Sequence, residues 1–170
     1  VRPVRVVEAL KENKVVILAG FQGVSPLTKE ITTLGRGGSD TTAVAMAAHF
    51  KALRCDILKE VPSVFTADPK KIPQAKALHQ VSYQQLADMT FWGAKVLHYR
   101  SAELALTHKV PLYIGPAADR AVDLRHGTQI SQEKNMFFEA VHFLALNSHQ
   151  DVCVIEVQKS DWHQAIDHVK

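Results

Sequence analysis

With 170 residues and a mass of 18.8 kDa, the chain has the length of one domain, or of one domain with part of a second. Its 46% hydrophobic and 22% charged content excludes a disordered or collagen-like polymer, and its longest apolar runs of five or six residues fall far short of the roughly 20 that cross a bilayer. Twenty basic against seventeen acidic residues give a net charge of +3, spread without a basic block, so neither nucleic acid nor a membrane surface is expected as a partner.

The elements follow in order. Pro3 suits a first helical turn, and Val6, Val7 and Leu10 recur at helical spacing until Lys11-Glu12-Asn13-Lys14 ends the pattern. Val15–Ala19 is an unbroken β-branched and aliphatic run, which predicts a strand buried on both faces. Gly20 opens a long loop through Pro26 and Lys29 that ends at Gly35-Arg36-Gly37-Gly38. Ser39-Asp40 then stands where a helix N-cap belongs, ahead of an alanine-rich helix over 41–53. Cys55–Val61 reads as a strand, and the proline-rich stretch 62–73 as irregular. Ser82 caps a helix carrying Leu86 and Met89, Gly93 turns the chain, and a second helix spans 101–108. Val110–Ile114 is another buried-type strand. Helices alternating with apolar strands predict an α/β fold with a mainly parallel sheet flanked by helices.

After Gly127-Thr128 the pattern changes. Val141–Leu144 and Val152–Val157 read as strands joined by Asn147-Ser148-His149-Gln150, with a helix over 161–170. This β–β–α unit is too small to bury its own core, so a second domain cut short is expected there. The sequence does not begin with Met, and Val1-Arg2-Pro3 reads directly into a helix without a leader pattern, so it is expected to be a piece of something longer. Cys55 and Cys153 lie in apolar strand patterns without CxxC spacing, which predicts inert thiols in a reducing cytoplasm. No histidine spacing predicts a metal site.

Thr32–Thr42, reading TTLGRGGSDTT, carries the strongest chemical signal. Three glycines within four positions let backbone approach a ligand, and the following helix directs free N–H groups and its positive dipole end at the loop. Arg36 adds a planar fork for a carboxylate or phosphate. The loop is neither a Walker A motif nor a dinucleotide fingerprint, so another anion-handling fold is required. Phe65-Thr66-Ala67-Asp68-Pro69-Lys70 follows a strand, where open α/β sheets bind ligands, and Lys95 follows a glycine turn from which a lysine reaches into a pocket.

Taken together and in order, these segments resemble aspartate kinase, of the amino acid kinase superfamily. The resemblance runs from Val15–Gly23 through Thr32–Thr42, Phe65–Lys70, Ser82-Tyr83, Gly93–His98 and Arg100–Ala105 to Gly127–Ile130, about 130 residues. It implies an amino acid kinase-like fold, partial here over 1–131, followed over 138–170 by the start of a regulatory ACT-like unit. It also implies ATP-dependent phosphorylation of the aspartate β-carboxylate, the first step toward lysine, threonine and methionine. Mg²⁺ would be carried in with ATP, a homodimer would form through the ACT region, and a feedback amino acid would bind. By resemblance, Arg36 and Ser39 hold aspartate, while Arg36, Gly37, Gly38 and Asp40 form the phosphoryl-transfer site. Lys59, Glu60, Phe65, Thr66, Ala67, Asp68, Pro69, Lys70 and Lys95 fall on nucleotide-binding segments.

The sequence departs from that pattern at several positions. Lys59-Glu60 stands where the family usually has Thr-Asp, and Pro62-Ser63 where it has Asp-Gly. Phe65 and Lys70 replace Tyr and Arg, and Tyr99 replaces Pro. The family's opening Lys-Phe-Gly-Gly-Thr segment has no counterpart, which implies that the 170 residues alone are inactive. The altered Lys59–Ser63 segment supports a competing expectation, a non-catalytic kinase-like regulatory or amino-acid-sensing subunit.

Overall fold

The computed structural model describes residues 3–117, 126–132 and 145–148. Helix α1 (Val4–Lys11) follows Pro3 as expected and buries Val6. The run Val15–Ala19 forms no strand, and Val15 and Ile17 are 95% and 94% exposed. Aliphatic and β-branched residues encode a preference for a buried sheet, but burial needs neighbouring strands, and no described strand pairs with this run.

The expected long loop instead contains a hairpin, β1 (Gln22–Val24) against β2 (Ile31–Thr33). Its tip carries the Ser25–Lys29 turn, and Leu34 N–H donates to Phe21 C=O at 2.9 Å to close the base. Helix α2 (Gly38–Phe50) starts three residues earlier than the sequence predicts. It stops at Lys51, which takes a left-handed conformation as C-cap.

Strands β3 (Cys55–Lys59), β6 (Gln80–Ser82), β7 (Leu112–Pro116) and β8 (Thr128–Ser131) form a sheet of order β3-β7-β8-β6. Pairs β3–β7 and β6–β8 are parallel, and β7–β8 is antiparallel, so the sheet is mixed but mainly parallel. A separate two-stranded ribbon, β4 (Val64–Phe65) with β5 (Ala77–Leu78), gives the proline-rich stretch more order than its composition predicts. Strand β7 begins two residues later than expected because Val110 N–H is used to close the preceding helix on Ala105 C=O at 3.1 Å. Strands β6 and β8 escape a sequence reading because they are short and find their partners far along the chain.

Helix α3 (Tyr83–Phe91) opens with a capping box: Ser82 Oγ accepts from Gln85 N–H, and the Gln85 side chain accepts from Ser82 N–H at 2.8 Å. Helix α4 (Tyr99–His108) begins at His98. Helix α2 packs on β3, α3 on β6 and β8, and α4 against both α2 and α3. The shared core holds Val44, Ile57, Leu86, Ala102, Ala105, Leu112, Ile114 and Ile130. Cys55 belongs to this core, where burial pushes its thiol up to about 11. The β–β–α unit expected over 138–170, with Cys153, lies outside the described residues except for 145–148.

Candidate active site

The site forms where the glycine-rich turn meets α2. Gly37 is the helix N-cap, with φ +75°, and no side chain caps this terminus. Ser39-Asp40 therefore lies one turn further in than the capping pattern predicts. A β-carbon at Gly37 would overlap the His98 ring, so the bare glycine lets the imidazole lie against the turn. Gly38 is buried, and a β-carbon there would press on Leu34 and the Phe21 ring at 2.9 Å. These contacts clamp the turn between the hairpin base and the start of α4.

Hydroxyl groups complete the clamp. Thr41 Oγ1 donates to Gly37 C=O and lies 3.0 Å from Ser101 Oγ. A threonine hydroxyl has one proton, so Ser101 is the donor in that second bond. Thr42 Oγ1 donates to Gly38 C=O at 2.7 Å and accepts from Phe21 N–H at 3.2 Å. The turn is thus tied to both α4 and the hairpin, while Arg36 and Ser39 remain exposed.

Asp40, freed from capping, makes an ion pair with Lys59 Nζ at 2.8 Å. Lys59 ends β3, and its carbonyl accepts from Ala117 N–H at 2.9 Å, which fixes the strand end beside β7. The pair is partly enclosed, with side-chain exposures of 28% for Lys59 and 20% for Asp40. The α2 N-terminus and a lysine therefore meet at the carboxyl end of a parallel strand pair, with the exposed Arg36 one residue before the N-cap, an arrangement suited to an anion.

The other expected nucleotide residues are distributed unevenly. Phe65 belongs to β4, and Thr66 is pinned by exchange with Lys76: Thr66 N–H donates to Lys76 C=O, and Lys76 N–H to Thr66 Oγ1, both at 2.9 Å. The Asp68 carboxylate accepts from Lys70 N–H at 2.9 Å and so shapes its own turn. Glu60, Pro69, Lys70 and Lys95 are exposed, and among the described contacts none joins them to the Asp40–Lys59 pair. Ala67 is partly buried.

Several contributors escape the sequence reading. Thr128, fully buried, donates to Leu78 C=O at 2.6 Å and accepts from Val64 N–H at 2.8 Å, so it holds both strands of the ribbon beneath the Phe65–Lys70 loop. The resemblance over Gly127–Ile130 includes Thr128 but implies no role for it. His98 Nδ1 accepts from Arg100 N–H at 3.3 Å and caps α4 while its ring abuts Gly37. Residues 145–148 also reach this loop. Leu146 N–H donates to Thr66 C=O at 2.7 Å, Lys71 Nζ to Ser148 Oγ at 2.8 Å, and Asn147 Nδ2 to Met89 C=O at 3.2 Å.

Known proteins resemble this chain in sequence and fold. Residues 2–116 match the model of the amino acid kinase family. Aspartokinase 2 of Bacillus subtilis is 43% identical over 136 residues, covering 80% of this chain and 33% of that protein. The chain spans about a third of the length of such curated relatives. Escherichia coli aspartokinase III, solved in complex with aspartate and ADP, superposes with a TM-score of 0.70 at 33% identity, over 79% of this chain and 29% of that one. Aspartate kinase from Synechocystis superposes with a TM-score of 0.64 at 40% identity, over 77% of this chain and 22% of that one. By sequence over most of its described length, and by the fold that carries the glycine-rich turn, the chain belongs to the amino acid kinase family.

Proposed function

We propose that this chain is part of an enzyme that transfers the terminal phosphoryl group of ATP to the β-carboxylate of aspartate, giving aspartyl phosphate. The observation that carries this reading is the clamped Arg36–Asp40 turn at the α2 N-terminus, joined to the end of β3 by Lys59. A carboxylate is already ionised near neutral pH, so the reaction needs no general base. Its oxygen attacks the terminal phosphorus, the bond to the bridging oxygen breaks, and the electron pair leaves on ADP. The remaining task is to bring two anions together and offset charge on the transferring group.

The residues divide that task. Arg36 offers an exposed bidentate fork for a substrate carboxylate, and Ser39 a hydroxyl beside it. Gly37 and Gly38 allow close backbone approach, and the first-turn amide groups face the developing charge. Phe65–Lys70 and Lys95 border the nucleotide, with Phe65 offering an apolar face in place of a hydrogen bond. The donor set of arginine, lysine and helix N-terminus fits a polyphosphate. Mg²⁺ would arrive coordinated by the phosphates; among the described residues no group of three or more His, Cys, Asp or Glu could hold a metal. When bound, that ion would neutralise phosphate charge. Residues 138–170 would begin an ACT-like regulatory unit that pairs two subunits and binds a feedback amino acid, in a cytoplasmic protein. No described helix is long and apolar enough to cross a membrane.

A hydroxylamine trap for acyl phosphate tests the reading, using the full-length protein with ATP, Mg²⁺ and either aspartate or glutamate. Aspartate-dependent hydroxamate is the expected result. Folded protein that yields no product with either substrate refutes it and assigns the chain to a non-catalytic, kinase-like regulatory role.

A further inference from the structure

The Lys59–Asp40 pair has a more specific use than general nucleotide contact. We propose that Lys59, steered by Asp40, is the ammonium that receives the terminal phosphate of a nucleoside triphosphate, so that this chain tells triphosphate from diphosphate through a lysine at a strand end. The inference rests on the phosphoryl-transfer reading above and assigns one residue within it a distinct role.

Three features carry it. First, Lys59 is the last residue of β3 and its carbonyl is held by Ala117 N–H, so the base of the side chain is fixed. Asp40 at 2.8 Å then fixes its tip beside the first turn of α2. The long, flexible lysine stem loses its freedom before any ligand arrives, which removes part of the ordering cost of binding. Second, an ammonium has three donors, and Asp40 takes one; no other described hydrogen bond uses the remaining two. With side-chain exposures of 28% and 20%, the pair is open to a ligand yet shielded enough for charge to matter. Third, without Lys59 the Asp40 carboxylate would meet an incoming polyphosphate as an uncompensated like charge. Lys59 therefore adds donors and cancels a repulsion at the same place. The transfer step requires no proton from Lys59.

The two contributions separate in a binding experiment on the full-length protein, using calorimetry with ADP and with the β,γ-imido analogue of ATP. Lys59→Met is expected to weaken the triphosphate analogue about tenfold or more while changing ADP affinity less than about threefold. Lys59→Arg, which keeps the charge, should retain most of the discrimination. The double variant Asp40→Asn with Lys59→Met should bind the analogue more tightly than Lys59→Met alone, because the exposed carboxylate is gone. Equal losses for both nucleotides, or no loss for either, overturn the assignment, as does a double variant no better than Lys59→Met. Wild-type protein that binds neither nucleotide overturns the phosphoryl-transfer reading as well. A hydroxylamine trap without product, from protein that still prefers the triphosphate through Lys59, overturns that reading alone.

Discussion

Replacing Gly37 with alanine tests whether the glycine turn is set by its contact with His98. At φ +75° an alanine costs about 1–2 kcal/mol, because its β-carbon crowds the following carbonyl. The new methyl also falls within the His98 ring, which must move. Overpacking of this kind costs about 1–3 kcal/mol, and a displaced ring loses its bond to Arg100 N–H at the start of α4. Gly37→Ala should therefore destabilise the fold by about 2–5 kcal/mol, a large share of the roughly 5–15 kcal/mol that holds a domain. In a His98→Gly background, which removes both the ring and the β-carbon that the new methyl would meet, only the backbone cost persists, about 1–2 kcal/mol. The difference between the two backgrounds, about 1–3 kcal/mol, is the coupling between the residues. Urea denaturation of the four proteins reads it as shifts in midpoint at constant slope. A cost below about 0.5 kcal/mol for Gly37→Ala, or the same cost in both backgrounds, would refute the packing argument.

Other consequences are open to direct measurement. Arg36→Ala should lower kcat/KM for aspartate about a hundredfold by removing a charge-assisted fork, and an unchanged value would take Arg36 out of the site. Thr128→Val keeps the shape but leaves Val64 N–H and Leu78 C=O without their buried partner; at about 2–3 kcal/mol, thermal unfolding should fall by roughly 5–10 °C, with Thr128→Ser close to wild type. The Cys55 thiol, pushed up to about 11 by burial, holds its proton in the fold at pH values where the unfolded chain has lost it. The native state then binds more protons than the unfolded one, so stability should decline from about pH 9 toward 11, and Cys55→Ala should flatten that alkaline limb in pH-dependent denaturation.

The parts of the fold that were legible in sequence are those whose signal is local. Ser82 announces a helix N-cap, the alanine-rich run announces α2, and Val110–Ile114 is apolar enough to show a central strand. The mistaken and missing parts depend on distant partners. Val15–Ala19 has the composition of a buried strand yet no described strand beside it, whereas Gln80–Ser82 has little strand character and is recruited by β8. At the candidate site, the glycine turn before α2 is visible in sequence because its signal is local, three glycines within four positions. The pairing of Asp40 with Lys59 is not, because 19 positions separate them and the N-cap pattern points to a different use for Asp40. His98 and Thr128 act through a ring face and a hydroxyl whose targets lie elsewhere in the chain, and such contacts leave no periodicity to read.

The order of strands in the sheet also sets a schedule for synthesis. Strand β3 pairs with β7, whose residues leave the ribosome more than fifty positions later, and β7 in turn lies against β8. At about 5–20 residues per second, β3 waits several seconds for its neighbour. During that interval the β1–β2 hairpin and helices α2 to α4 can form from contacts close in sequence, but Ile57 has no sheet to enter. The glycine turn can acquire its His98 contact before the strand bearing Lys59 is locked in place. The candidate site is therefore assembled in two instalments, with the helix terminus first and the strand-end lysine last.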